Sequence, residues 1–103
     1  MELNDNTGEL VTLTEAAEWT QNYRSTINSG DVTGHFFGKN KYNTILEQPG
    51  CIGVRTYYGI ENGEKVLVLV GVDEQGNDMT NGAIVEQGAK CPPRCSEINA
   101  LNS

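Results

Sequence analysis

The spacing of apolar residues predicts two helices in the first half of the chain. Four apolar residues follow one another at steps of three and four: Ala16, Trp19, Tyr23 and Ile27. This spacing is typical of one face of a helix, with Thr14 as its N-cap and residues 28–31 as its end. A second, shorter helix is predicted over residues 39–47, before the Pro49-Gly50 pair that stops it.

From Cys51 onwards the hydrophobic period changes to two, which indicates a strand over residues 51–60. Asn62-Gly63 favours a two-residue type I′ turn, and a second strand follows over residues 65–72. Such a turn fixes the pairing, with Tyr58 opposite Leu67 and Arg55 opposite Val70. The pattern therefore predicts a β-hairpin that carries apolar side chains on both faces.

A third short strand is predicted over residues 83–87, between Gly82 and Gly88. The predicted fold class is α+β, with two N-terminal helices packed on a small antiparallel sheet of about three strands built around the hairpin. Residues 1–103 are expected to form a single domain. Residues 1–9 and 96–103 are rich in Asn, Ser and acidic side chains, so we expect them to be flexible.

Charge narrows the choice of partners. The chain of 103 residues has 14 acidic and 7 basic side chains, a net charge of −7. This balance disfavours nucleic acids and anionic membranes, which reward clustered Lys and Arg. No apolar run approaches the roughly 18 residues of a membrane-spanning helix. Without a recognisable secretory signal, the expected location is cytoplasmic.

The three cysteines leave several states open. Cys91 and Cys95 lie four residues apart around Pro92, Pro93 and Arg94, and Cys51 lies at the start of the first hairpin strand. Free structural thiols are the favoured interpretation, because small buried cysteines are common. A local disulfide between Cys91 and Cys95 is an alternative. So is a zinc site of all three cysteines with His35, because the chain contains just enough ligands for one Cys₃His site.

Three other residues are candidates for binding. His35 lies between the predicted helices, and its side chain is more often packed or exposed than catalytic. Arg55 could contact an anion beside Tyr57, although a structural ion pair with Glu47 or Asp73, or a surface arginine whose charged end reaches water, is favoured. No catalytic motif accompanies these residues, so an enzyme is not predicted.

Three segments together carry a resemblance. They are QPGCIGVRTYYG at 48–59, VLVGVD at 68–73 and CPPRC at 91–95. Over residues 19–102 the chain resembles a family of small, uncharacterised bacterial proteins of about 100 residues. The resemblance implies one recurrent small domain that includes the hairpin and the cysteine segment, and it implies no functional residues.

The sequence therefore favours a small acidic, non-enzymatic interaction or assembly protein that associates with itself or with a protein partner. One alternative is a metal- or thiol-dependent protein that uses Cys51, Cys91, Cys95 and His35. A second alternative is an immunity-type or inhibitor-type binder of a basic partner.

Overall fold

In a computed structural model, which describes residues 2–103, the chain forms two helices and five strands. The elements in chain order are α1 (Leu13–Arg24), β1 (Gly34–Phe36), α2 (Lys39–Leu46), β2 (Cys51–Glu61), β3 (Glu64–Asp73), β4 (Ile84–Val85) and β5 (Ala89–Cys91). This composition confirms the α+β class. Within the described residues, no helix has the length and apolarity that crossing a membrane requires.

The hairpin forms as its turn predicts. Asn62 and Gly63 have φ values of 52° and 80°, the two positive angles of a type I′ turn. β2 and β3 pair antiparallel with Glu61 opposite Glu64, and the predicted register continues through Arg55 opposite Val70. The pairing shifts only between Cys51 and Gly53. β4 then pairs with the other side of β3, which makes β3 the central strand of a three-stranded sheet.

The core of this sheet lies mainly on β3. The buried apolar residues are Ile45, Val66, Leu69, Val70 and Val72. α2 contacts both hairpin strands and places Ile45, which is completely buried, close to Gly71. The Gln48 side chain donates to the carbonyl of Ile45 and accepts the N–H of Ala83, each at 2.8 Å. Gln48 therefore joins the end of α2 to the segment that leads into β4.

The predicted limits of α1 were wrong at both ends. The N-cap is Thr12 rather than Thr14, because Thr12 and Glu15 form a reciprocal capping box. The helix ends at Arg24, with Ser25 as the C-cap, so Ile27 lies beyond it. α1 contains no buried residue, and Trp19, expected on its apolar face, is 54% exposed. The limits of α2 agree with the prediction to within one residue.

The chain divides into two compact units, of which the first contains residues 2–7 and Phe36–Gly88 and the second contains Gly8–His35 and Ala89–Ser103. α2 belongs to the first unit, with the three-stranded sheet. α1 belongs to the second unit. The predicted packing of a helix on the hairpin is therefore observed for α2.

The structure contains a strand pairing that the sequence did not predict. β1 and β5 form a two-stranded sheet, and beside it the N–H of Thr33 donates to the carbonyl of Cys91 at 2.7 Å. The Arg24 guanidinium donates to the main-chain oxygens of Leu101 and Ser103, both at 2.5 Å. The last turn of α1 is therefore hydrogen-bonded to the C-terminal segment.

Candidate functional site

Arg55 and Tyr57 meet at one acidic side chain on the face of the hairpin. They lie two residues apart on β2, so their side chains leave the same face of the sheet. Arg55 Nη1 donates to Oδ1 of Asp78, and the Tyr57 hydroxyl donates to Oδ2, both at 2.5 Å. We call these three residues the Arg55 cluster. The partner of Arg55 is therefore Asp78, and the expected pairing with Glu47 or Asp73 was wrong.

The loop after β3 explains how Asp78 reaches this position. One Asp73 carboxylate oxygen accepts the N–H groups of Gln75 and Asn77, each at 3.0 Å, and the N–H of Asp73 donates to the carbonyl of Asn77. These bonds reverse the chain and bring Asp78 into an antiparallel bridge with Val72. The carboxylate then lies within reach of β2 across the sheet.

The three groups of the Arg55 cluster hold one another in their ordinary charge states. The hydrogen bond from Tyr57, together with the one from Arg55, lowers the pKa of Asp78 below its usual value. The hydrogen bond to Asp78 raises the pKa values of both Arg55 and Tyr57. Because Asp78 already neutralises Arg55, an external anion would have to compete with it. The cluster's direct effect is to attach the loop to the sheet.

A groove lies beside the cluster in the same unit. It has a volume of about 360 Å³. Its lining comes from the N-terminal segment, the first half of β2 and β3: Leu3, Asn4, Asp5, Thr7, Ile52, Gly53, Val54, Arg55, Thr56 and Val72. The N-terminal segment thus flanks β2 as far as Thr56, and no later residue of β2 lines the groove.

The second half of β2 presents an open sheet edge. β2 is the outer strand of its sheet, and within residues 2–103 no other segment makes a main-chain hydrogen bond to residues 56–60. The pair that flanks a two-residue turn exchanges both of its hydrogen bonds, and every second pair after it does the same. Thr56, Tyr58 and Ile60 therefore point their N–H and C=O groups outward. Tyr58 and Ile60 are 77% and 80% exposed.

Of the four candidate zinc ligands, the structure brings only Cys91 and Cys95 together. Cys91 and Cys95 form a disulfide, which is one of the alternatives left open and differs from the favoured free thiols. Cys51 is a free thiol at the start of β2, in the first unit, whereas His35 lies half-buried in β1. No three His, Cys, Asp or Glu side chains among the described residues are grouped to hold a metal. A zinc site that used Cys91 and Cys95 would first require their reduction, because thiolates are the ligands.

Sequence reasoning missed Asp78 and the extent of the open edge. Asp78 is one of several acidic residues in a turn-forming segment, and only the Asx-type bonds of Asp73 bring it to Arg55. The edge has a sequence signal: five uncharged residues, TYYGI at 56–60, lie between Arg55 and Glu61.

No protein-family model, no curated protein and no solved structure matches the chain.

Proposed function

We propose that the protein is a small interaction protein that associates with a second copy of itself through the open edge of β2. The observation that carries this proposal is the unpaired outer edge at residues 56–60, which bears two strongly exposed apolar side chains, Tyr58 and Ile60. Long apolar edges invite strand pairing, and proteins usually block them with Lys, Pro or a covering segment. Residues 56–60 contain neither Lys nor Pro.

The charges beside the edge favour a second copy in antiparallel orientation. Arg55 precedes the uncharged stretch and Glu61 follows it. When two such strands pair antiparallel, the two Glu61 carboxylates lie at opposite ends of the paired stretch, whereas parallel pairing would place them side by side. With Tyr58 at the two-fold axis, Thr56 of one copy lies opposite Ile60 of the other. The outward N–H and C=O groups of these residues then meet in register.

The Tyr58 side chain at this edge is already held by a contact within the chain. The Lys65 ammonium lies 4.8 Å from the centre of the Tyr58 ring, which restricts the ring before any partner binds. A contact of about five residues per copy is small compared with the roughly 1,600 Å² of a standard interface. We therefore expect a weak dimer whose population depends on protein concentration.

Sedimentation equilibrium of the wild type over a wide dilution series, beside two matched variants, tests this proposal. Ile60→Lys adds a charge at the edge, so it should weaken dimerisation by about tenfold or more. Ile84→Lys adds the same charge on β4, where the side chain is 54% exposed, and should dimerise like the wild type. A strictly monomeric wild type, or equal effects of the two variants, would overturn the proposal.

Hydrogen exchange gives an internal control within one strand. The amides of Thr56, Tyr58 and Ile60 point outward, so their exchange should slow as the protein concentration rises. The amides of Tyr57 and Gly59 point toward β3 and should be protected at every concentration. Slowing confined to the amides that face β3 would show that association does not use this edge.

A further inference from the structure

The Cys91–Cys95 disulfide lies at the wall of a cavity in the second unit. The cavity has a volume of about 360 Å³, and its lining includes both cysteines, Ile27 and Ile98. Cys95 is exposed, whereas Cys91 is half-buried. An incoming group therefore has room beside the disulfide and reaches Cys95 more easily than Cys91.

The segment that carries the two sulfur atoms is held by bonds other than the disulfide. The N–H of Arg94 donates to the carbonyl of Lys90 at 2.8 Å, and the N–H of Thr33 donates to the carbonyl of Cys91 at 2.7 Å. The rings of Pro92 and Pro93 further restrict the backbone between the cysteines. The Cα atoms of the two cysteines, 4.8 Å apart, should therefore stay close after reduction, so the bond can form again readily.

Thr33 is placed to receive a leaving sulfur. Its hydroxyl lies 3.2 Å from the carbonyl oxygen of Cys91 and 3.6 Å from the Sγ of the same residue. The hydroxyl has one proton to donate, and a thiolate is a stronger acceptor than a neutral carbonyl. Cleavage of the disulfide at Cys91 would therefore turn this hydrogen bond toward the sulfur and stabilise its negative charge.

We propose that the Cys91–Cys95 disulfide is a thiol–disulfide exchange site that oxidises external dithiols. A thiolate of the dithiol attacks Sγ of Cys95, forming a mixed disulfide, and the Sγ–Sγ bond breaks to release Cys91 as a thiolate. The second thiol of the dithiol, as its thiolate, attacks the mixed disulfide and releases Cys95 as a thiolate. Cys91 and Cys95 take up the two protons that the dithiol lost, so two electrons reduce the protein while the dithiol becomes a disulfide.

This site differs from the Cys-x-x-Cys arrangement, in which a helix N-terminus stabilises the thiolate. Here three residues separate the cysteines, and a threonine hydroxyl on another segment supplies the hydrogen bond. The proposal is independent of dimerisation at β2, because the cavity residues belong to the second unit and the edge belongs to the first.

The test mixes the oxidised protein with dithiothreitol in one arm and with a reduced two-cysteine peptide in the other. Acid quenching, alkylation and mass spectrometry then follow the loss of the disulfide under native conditions. When a monothiol replaces the dithiol, acid quenching should trap the mixed disulfide before Cys91 expels the monothiol, and peptide mapping should locate it on Cys95. Exchange with dithiothreitol alone would assign a small dithiol as substrate, and exchange with both would extend the class to peptides.

Thr33→Val should slow this exchange by roughly three- to tenfold, the effect of one hydrogen bond to a sulfur whose negative charge is about half developed in the transition state. It should also raise the pKa of the Cys91 thiol in the reduced protein, as read from the pH profile of its alkylation, and Thr33→Ser should restore both properties. Thr26→Val is the matched control, because the Thr26 hydroxyl bonds to the Tyr23 carbonyl and does not line the cavity. Reduction only in denaturant, an adduct on Cys91, or equal rates for the two valine variants would overturn the proposal.

Discussion

Asp78 is the residue on which the attachment of the 73–78 loop depends. Its two carboxylate oxygens accept from different side chains, Arg55 and Tyr57, and both donors come from the same strand. All three side chains are partly exposed, so water screens the ion pair and weakens it. The stability of the fold at acidic pH should nevertheless depend on this carboxylate, because its pKa is lowered in the folded protein.

Asp78→Asn should therefore lower the midpoint of thermal unfolding at neutral pH. It should also make this midpoint less dependent on pH in the acidic range. A carboxylate with a lowered pKa stabilises the fold above its unfolded value, near 3.9, and this contribution disappears as pH falls through the lower folded value. Thermal unfolding followed by circular dichroism between neutral and strongly acidic pH would measure both effects.

Glu74→Gln is the charge-matched control for Asp78→Asn. Glu74 lies in the same loop and is exposed, so removing its charge should leave the thermal midpoint at neutral pH unchanged. If Asp78→Asn were as stable as the wild type at neutral pH and had the same acid slope, the hydrogen bonds of Asp78 would have no measurable role in stability.

At the scale of elements, the end of α2 packs closely against β3 at Gly71. A Cβ atom at this position would lie 2.9 Å from the Gln48 side-chain nitrogen and 3.2 Å from a methyl group of Ile45. Gly71→Ala should therefore reduce the free energy of unfolding by about 1–3 kcal/mol, the usual effect of overpacking a core. Urea denaturation would measure this change in the free energy of unfolding.

Gly53→Ala, on β2, is the control. The added Cβ meets nothing within 4 Å, so this variant should change the free energy of unfolding by less than about 0.5 kcal/mol. Equal effects of the two would contradict this account of the helix contact.

The hairpin was predictable because one local feature determines it. Asn62 and Gly63 accept the two positive φ values, and the turn then fixes every pairing as far as the irregularity near Cys51. The start of α1 was not, because Thr12 and Thr14 are both plausible caps. The reciprocal bond with Glu15 decides between them. β1 and β5 have three residues each, too few to show a hydrophobic period.

The candidate sites were predictable in part. Alternation along β2 places Arg55 and Tyr57 on one face, but their partner depends on how the loop after Asp73 folds back. The cysteine spacing allowed either a disulfide or two thiols, because the proline-containing segment could bend or remain extended. What brings Cys91 near Thr33 is main-chain bonding between distant segments, which spacing within one segment does not reveal.

At the scale of the whole molecule, the chain carries its two proposed activities on different units. The open edge belongs to the first unit and the disulfide to the second. Variants of the edge therefore alter no residue of the disulfide site, and the two proposals can be tested separately. Disulfides persist in oxidising compartments, and in the cytosol they are usually catalytic or redox-sensing. The cytoplasmic location stays a prediction, and in that compartment an exchange role fits the disulfide better than a permanent structural one.

Net charge should control how readily two copies meet. Each chain carries a net charge of −7, so two copies repel each other at long range, whereas residues 56–60 that would pair have no charge. Salt shortens the screening length from about 30 Å at 0.01 M to about 8 Å at 0.15 M. The dimer dissociation constant should therefore fall by roughly tenfold or more across this range. Sedimentation equilibrium at a series of salt concentrations would measure it. A dissociation constant that rises with salt would contradict the expected role of net repulsion.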